Sequence, residues 1–358
     1  GEVFNGLEYH PERAPESIKQ FVSFWDEFRK EYPAGRIDIR GTNYSIGMDA
    51  TSHGIDIREI YRRGQLITPA PNPPWGSANL GLELASHLSR ISSTPTRSIL
   101  FRYYINDSWF TVVPWYDYYN REPFDIYCPM ACSRLNDRGD AEGATDMSVM
   151  TVSTGYGEMP PTQAGEVEPH LRRAFNLAPD EAGPLVWVYP FSEYQDELHR
   201  PNGQIQKSFF GDWYIARAID TGLPLNTVIT TDNFAKVVAD HPKVLAGRIL
   251  VAPTPAADWK YTQRLIDFVK AGGKVLLYGS LHDAPKELLK LLNVKLDAPI
   301  DGDLDVSLKM AGDVFDVKGK KRPLRHIGRI CDGGVCEVVA DRSLKCTSLR
   351  ATVALGAK

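Results

Sequence analysis

Arg248-Ile249-Leu250-Val251-Ala252, the stretch 258–271, and Gly272-Gly273-Lys274-Val275-Leu276-Leu277-Tyr278 together decide the fold class. The first and last runs are short and apolar. The stretch between them carries Tyr261, Leu265, Phe268 and Val269 at the spacing of one helical face. The Gly-Gly pair ends that helix, because glycine accepts the left-handed backbone of a helix C-terminus. Strand, helix, strand at this length predicts two parallel strands joined by a crossover. The upstream strand Leu185-Val186-Trp187-Val188 is apolar on both faces, which predicts a sheet covered on each side.

Reading outward, Thr227-Val228-Ile229-Thr230 is a further strand and 234–239 a short helix. Residues 205–221 form a helix with Phe209, Trp213 and Ala216 on one face, ended by Gly222 and followed by Pro224. A helix over 285–292 closes the unit. Residues 201–299 therefore read as a flavodoxin-like three-layer domain.

Upstream, 1–200 alternates strand and helix. Strands are expected at 3–10, 36–40, 98–105, 125–130, 147–153 and 185–190, with helices opening at Pro15 and over 59–63, 80–91 and 166–177. This alternation predicts βα units and an α/β class. The reading is a (β/α)-barrel-like domain, irregular or incomplete, since a full barrel takes about 250 residues. An open doubly wound sheet is the competing reading. Residues 300–358 hold short alternating runs between Gly and Asp turns, the pattern of a small β-rich domain.

Composition bounds the function. The chain has 358 residues, 43% hydrophobic and 24% charged, with a formal net charge of −4. That excludes a disordered chain and gives no basic surface for nucleic acid. No apolar run reaches the roughly 20 residues of a membrane span. The five cysteines show no metal spacing, the histidines are scattered, and no cofactor motif is present; Gly155-x-Gly157 lacks the third glycine of a dinucleotide loop. Cys331 and Cys336 flank a turn and are weighed as a disulfide against free thiols. Compartment stays open. The unusual count is aromatic: 16 Tyr, 14 Phe and 7 Trp.

The stretches 213–224, 245–253 and 269–277 carry a resemblance. They resemble the trimerisation domain of β-galactosidases built on a TIM barrel, a degenerate class I glutamine-amidotransferase-like fold. The resemblance covers about a quarter of the chain. It implies the order barrel, amidotransferase-like domain, small β-domain, together with a glycoside-hydrolase-like activity on carbohydrate and a homo-oligomer formed through the middle domain. The alternative is a relative that binds carbohydrate or assembles without catalysing.

Such an activity needs two carboxyls at the carboxyl ends of barrel strands. The acids at expected strand ends are Glu8, Asp107, Glu158 and Glu193. Glu8 and Glu158 are the preferred pair, each beside a Tyr and a Gly that permit close approach, with Glu193 and Asp107 as replacements. Each also reads as a helix cap or solvated loop acid. Sugar rings lie on flat aromatic faces while their hydroxyls seek Tyr, Arg and acids. Arg102, Tyr104, Trp109, Trp115, Tyr156 and Tyr189 are the expected substrate-binding set, with a structural ion pair as the plainer role for Arg102. Asp137, Asp140 and Glu142 are weighed as a calcium loop and read as a solvated turn. The turn Pro253-Thr254-Pro255 offers no nucleophile. Ser280 beside His282 is weighed as a hydrolase site and read as a capping serine.

Overall fold

The computed structural model describes residues 3–5, 8–34, 37–39, 44–63, 65–67, 80–96, 99–106, 123–151, 161–201, 203–299, 302–309, 322–326, 334–338 and 350–355. The helices are α1 (Ala14–Glu31), α2 (Ile46–His53), α3 (Ile57–Arg62), α4 (Leu80–Ser93), α5 (Phe124–Met130), α6 (Pro161–Asn176), α7 (Phe191–Glu197), α8 (Ile205–Asp220), α9 (Thr231–Asp240), α10 (Thr262–Lys270) and α11 (Lys286–Leu292). The strands are β1 (Ile37–Ile39), β2 (Gln65–Ile67), β3 (Leu100–Asn106), β4 (Ser133–Leu135), β5 (Ala141–Glu142), β6 (Asp146–Thr151), β7 (Leu185–Tyr189), β8 (Thr227–Thr230), β9 (Ile249–Pro253) and β10 (Lys274–Tyr278). Five more follow: β11 (Val294–Pro299), β12 (Gly302–Lys309), β13 (Arg322–His326), β14 (Gly334–Val338) and β15 (Arg350–Leu355).

The chain divides into two compact units, 1–253 with 263–278, and 254–262 with 279–358. The first is built around a six-stranded sheet of order β10-β9-β7-β8-β4-β5. All its pairings are parallel except the β4–β5 hairpin. β7 is central, with Trp187 in register with Val228 of β8 and Val251 of β9. Its residues Val186 to Tyr189 are all 0% exposed, consistent with a strand covered on both faces. In the second unit β12 pairs antiparallel with β13 and β15, and β11 antiparallel with β14.

The mixed α/β class is therefore found, and so are the expected helices near 205–221, 234–239 and 258–271. Three expectations are corrected. Strand β7, read in the first region, belongs to the same sheet as β8, β9 and β10. Residues 125–130 are helical, because Ile126 and Met130, one turn apart, bury together against Val167 and Leu171 of α6. Among the described residues of 3–10, Phe4 and Tyr9 form an isolated bridge in place of a strand. The parallel pairs β1–β2 and β3–β6 are separate two-stranded sheets, and among the described residues no sheet closes into a barrel. Cys331 lies outside the described residues.

Helices α4 and α8 pack at Gly81. A Cβ there would stand 1.8 Å from the Ala216 carbonyl oxygen. The Gly81 amide donates to Asp220 Oδ1 at 2.7 Å. The C-terminus of α4 is tied by Arg134 of β4. Its guanidinium donates to the carbonyls of Ile91, Thr94 and Thr96 and to the Glu142 carboxylate. A cation at the end of a helix satisfies carbonyls that have no partner within it and opposes the negative end of the helix dipole.

Candidate site at the carboxyl edge of the sheet

Parallel sheets expose their loops and the N-termini of the following helices at the carboxyl edge, where ligands bind in open α/β folds. Here β7 leads through Pro190 directly into α7, and β8 leads directly into α9. The α9 start is capped in the ordinary way: the Thr230 hydroxyl accepts from the Asn233 amide at 3.2 Å. Asn233 in turn donates to the Leu135 carbonyl at 3.1 Å, holding the end of β4 against α9.

These junctions border a cleft of about 400 Å³ whose lining includes Arg134, Arg138, Phe191, Ser192, Thr230 and Asp232. Ser192 donates to Asp232 Oδ2 at 3.2 Å, and Asp232 is exposed. One residue behind Ser192 is Glu193, only 6% exposed. Its Oε2 accepts from the Thr231 hydroxyl at 2.8 Å. Burial pushes the Glu193 carboxyl up to about 7, and the nearby Asp232 and Asp196 carboxylates add to the rise. The junction thus holds one carboxyl that keeps its proton near neutrality beside an exposed carboxylate. Acid–base chemistry uses environments that set the proton affinities of neighbouring carboxyls apart in this way.

A second buried acid lies in the core of the same unit. Asp212 of α8 is 0% exposed. Its Oδ2 accepts from Tyr189 Oη at 2.9 Å, from the Gly47 amide at 3.1 Å and from the Ser45 hydroxyl. Burial pushes this carboxyl up to about 7, outweighing the three donors that lower it. Ser45 is the N-cap of α2, so one carboxylate oxygen joins α2, β7 and α8. Gly47 is required there, since a Cβ would meet Asp212 Oδ2 at 2.5 Å. Next to it, Trp187 Nε1 donates to Tyr278 Oη at 2.9 Å.

Of the residues named from sequence, Glu193 falls in this junction, in the first turn of α7 rather than in a loop. Tyr189 is a core residue: at 0% exposure, with its hydroxyl bound to Asp212, it does not face a ligand. Glu8 has a side chain 75% exposed, 3.9 Å from His10 Nε2, and no hydrogen bond or ion pair among the described residues joins it to Glu193. Arg102 is half-buried in β3, opposite Ser148 of β6. Tyr104 is placed in β3 by its backbone. Asp107, Trp109, Trp115, Tyr156 and Glu158 lie outside the described residues.

The 136–140 loop is a turn built by Asn136, whose Oδ1 accepts from the Arg138 and Asp140 amides. Asp140 pairs with Arg138, and Glu142 with Arg134. Asp232 and Asp212 were not singled out from the sequence. For Asp212 a signal was present, since Ile205, Ser208, Asp212, Ile215 and Ile219 share one buried helical stripe.

No family model and no curated protein matches the chain. Solved structures do. Gan42B, a GH42 β-galactosidase, overlaps at TM-score 0.46 and 12% identity, covering 90% of this chain and 50% of that one. A cold-adapted β-galactosidase from Rahnella sp. R3 overlaps at TM-score 0.46 and 15% identity, covering 87% and 48%. A catalytic mutant of Gan42B from G. stearothermophilus gives 0.45 and 12%, covering 88% and 49%. The chain spans about half the length of each of these structures.

Proposed function

We propose that this chain is a glycoside-hydrolase-like protein acting on carbohydrate, with Glu193 as its proton donor. The observation that supports the role is the Glu193 carboxyl in the first turn of α7, pushed up to about 7 by burial, one residue from Ser192 of the cleft lining. A general acid of this kind protonates the leaving oxygen of a glycoside. The partner carboxylate is Asp232, exposed at the same junction, with Glu158, Asp107 and Glu8 as the alternatives nominated from sequence.

A panel of aryl glycosides tests the assignment. On an accepted substrate the rate falls as pH rises through about 7, and Glu193→Gln loses roughly 100-fold or more. Full turnover by Glu193→Gln removes Glu193 from the role.

The second reading is a relative that binds carbohydrate, or assembles through the 201–299 region, without hydrolysis. The deep burial of Glu193 and the core position of Tyr189 favour it. Sugar binding with no release of aryl alcohol from any substrate supports that reading, and light scattering of the purified chain tests the assembly.

A further inference from the structure

We infer that the cleft at the carboxyl edge of β4 and β8 selects its ligand by charge, taking an amino-bearing or neutral sugar ring and rejecting an acidic one. The inference rests on the carbohydrate reading above and adds selectivity to the same site.

The first observation concerns the cations. Arg134 and Arg138 both line the cleft, which at first sight offers an anion site. Arg134 is already engaged at every side-chain nitrogen: Nε donates to Glu142 Oε2 at 2.8 Å, Nη1 to the Ile91 and Thr94 carbonyls, and Nη2 to the Thr96 carbonyl at 2.8 Å. Arg138 pairs with Asp140 at 2.9 Å. An incoming carboxylate, sulfate or phosphate meets guanidinium groups that are already neutralised.

The second observation concerns the anions. Three carboxylates also line the cleft: Asp137, Glu142 and Asp232. Glu142 is held by Arg134 and by the Asn136 amide at 3.0 Å. Asp137 takes a long contact from Lys236 at 3.4 Å. Asp232 accepts only a neutral hydroxyl, from Ser192, among its hydrogen bonds to described residues, and it is exposed. Among the described residues, its charge is the one in the cleft without a cationic partner in contact. The excess charge felt by a ligand is therefore negative.

The third observation concerns size and surface. About 400 Å³ falls within the range of small-molecule clefts. The wall includes Phe191, stacked on Tyr61 at 6.4 Å, together with the hydroxyls of Ser192 and Thr230. An apolar ring among hydroxyls and an open carboxylate suits a pyranose bearing hydroxyls and an ammonium group.

Glucosamine, glucose and glucuronate are the probes, being one ring in three charge states. Each is titrated at pH 6.5 by ligand-observed NMR into the whole chain; free monosaccharides hold no glycosidic bond, so hydrolysis plays no part. The expected order is glucosamine tightest and glucuronate weakest, with about fivefold between neighbours for one surface charge pair. Asp232→Asn then brings glucosamine to the level of glucose. Asp137→Asn narrows the gap less, since Lys236 already faces that carboxylate.

Glucuronate binding as tightly as glucosamine overturns the inference. So does an unchanged order in Asp232→Asn, or binding by none of the three. The predicted order in a protein that hydrolyses no aryl glycoside removes the hydrolase reading and keeps this one. Hydrolysis without the order does the reverse.

Discussion

The Tyr189 hydroxyl donates to Asp212 Oδ2 at 2.9 Å where neither side chain meets solvent. Burial sets the proton affinity of this pair, and so stability depends on pH. The folded Asp212 carboxyl titrates near 7, against 3.8 for the ordinary group. The folded chain therefore holds a proton that the unfolded chain has released. The associated stability is fully present below about pH 4 and is lost as pH rises to about 7. Asp212→Asn keeps an acceptor for the three donors and removes the charge. It is expected to match the parent near pH 4.5 and to exceed it by about 1–3 kcal/mol at pH 8. Urea midpoints at the two pH values check this; equal differences at both would count against it.

Asp212→Ala separates charge from hydrogen bonding. It leaves the Ser45 hydroxyl, the Tyr189 hydroxyl and the Gly47 amide without their common acceptor. Measured against Asp212→Asn, the expected loss is about 2–4 kcal/mol at both pH values. Hydrogen exchange should rise first in α2, whose cap is Ser45.

Glu193→Gln gives a second pH test with the same sign. Its folded carboxyl titrates near 7 instead of 4.5, so the parent loses stability as pH rises between those values. Glutamine still accepts from Thr231, and the variant's thermal midpoint is expected to vary less between pH 5 and pH 8 than the parent's. A slope equal to the parent's would place the titration elsewhere.

Among the described glycines of this unit, Gly81→Ala should be the most damaging methyl addition. The new Cβ meets the Ala216 carbonyl oxygen at 1.8 Å, which is backbone and cannot swing aside. The helices must move apart, at an expected cost of about 3 kcal/mol or more. Gly222→Ala serves as the comparison. Its φ of +101° strains any side chain, but nothing lies within 4 Å, so its cost is expected near 1 kcal/mol.

Arg134→Lys tests the tie between β4 and α4. A lysine cannot reach three carbonyls and a carboxylate with one ammonium group. The expected cost is about 2–3 kcal/mol, seen as a fall in thermal midpoint of several degrees. A variant as stable as the parent would show that the four bonds contribute little.

The elements visible in the sequence are those set by local periodicity. Helices 205–220 and 262–270 show their apolar faces in the chain itself, and the Gly272-Gly273 stop is explicit. Strand 185–189 is also visible as a strand, but its sheet is not: the register of Trp187 with Val228 and Val251 is a long-range choice that leaves no periodic trace. Residues 124–130 mislead because the apolar run suits either element, and the packing of Ile126 and Met130 on α6 decides. The site divides in the same way. Glu193 is found by its place after a strand, whereas the pairing of Glu193 with Thr231 and of Asp212 with Tyr189 joins segments 38 and 23 residues apart.

Strand β4 waits for its neighbour. Ser133 pairs with Thr227, 94 residues later, and the slot beside β7 is filled by β8, also made later. During synthesis from the N-terminus, β4 is complete long before the strand that anchors it. The sheet can assemble only once Thr230, the last residue of β8, has been made, and contacts this distant in sequence slow folding. A cut near residue 200 would split the six-stranded sheet of the first unit. It would leave β7 and β4 as unsatisfied edges, the kind of surface on which nascent chains aggregate.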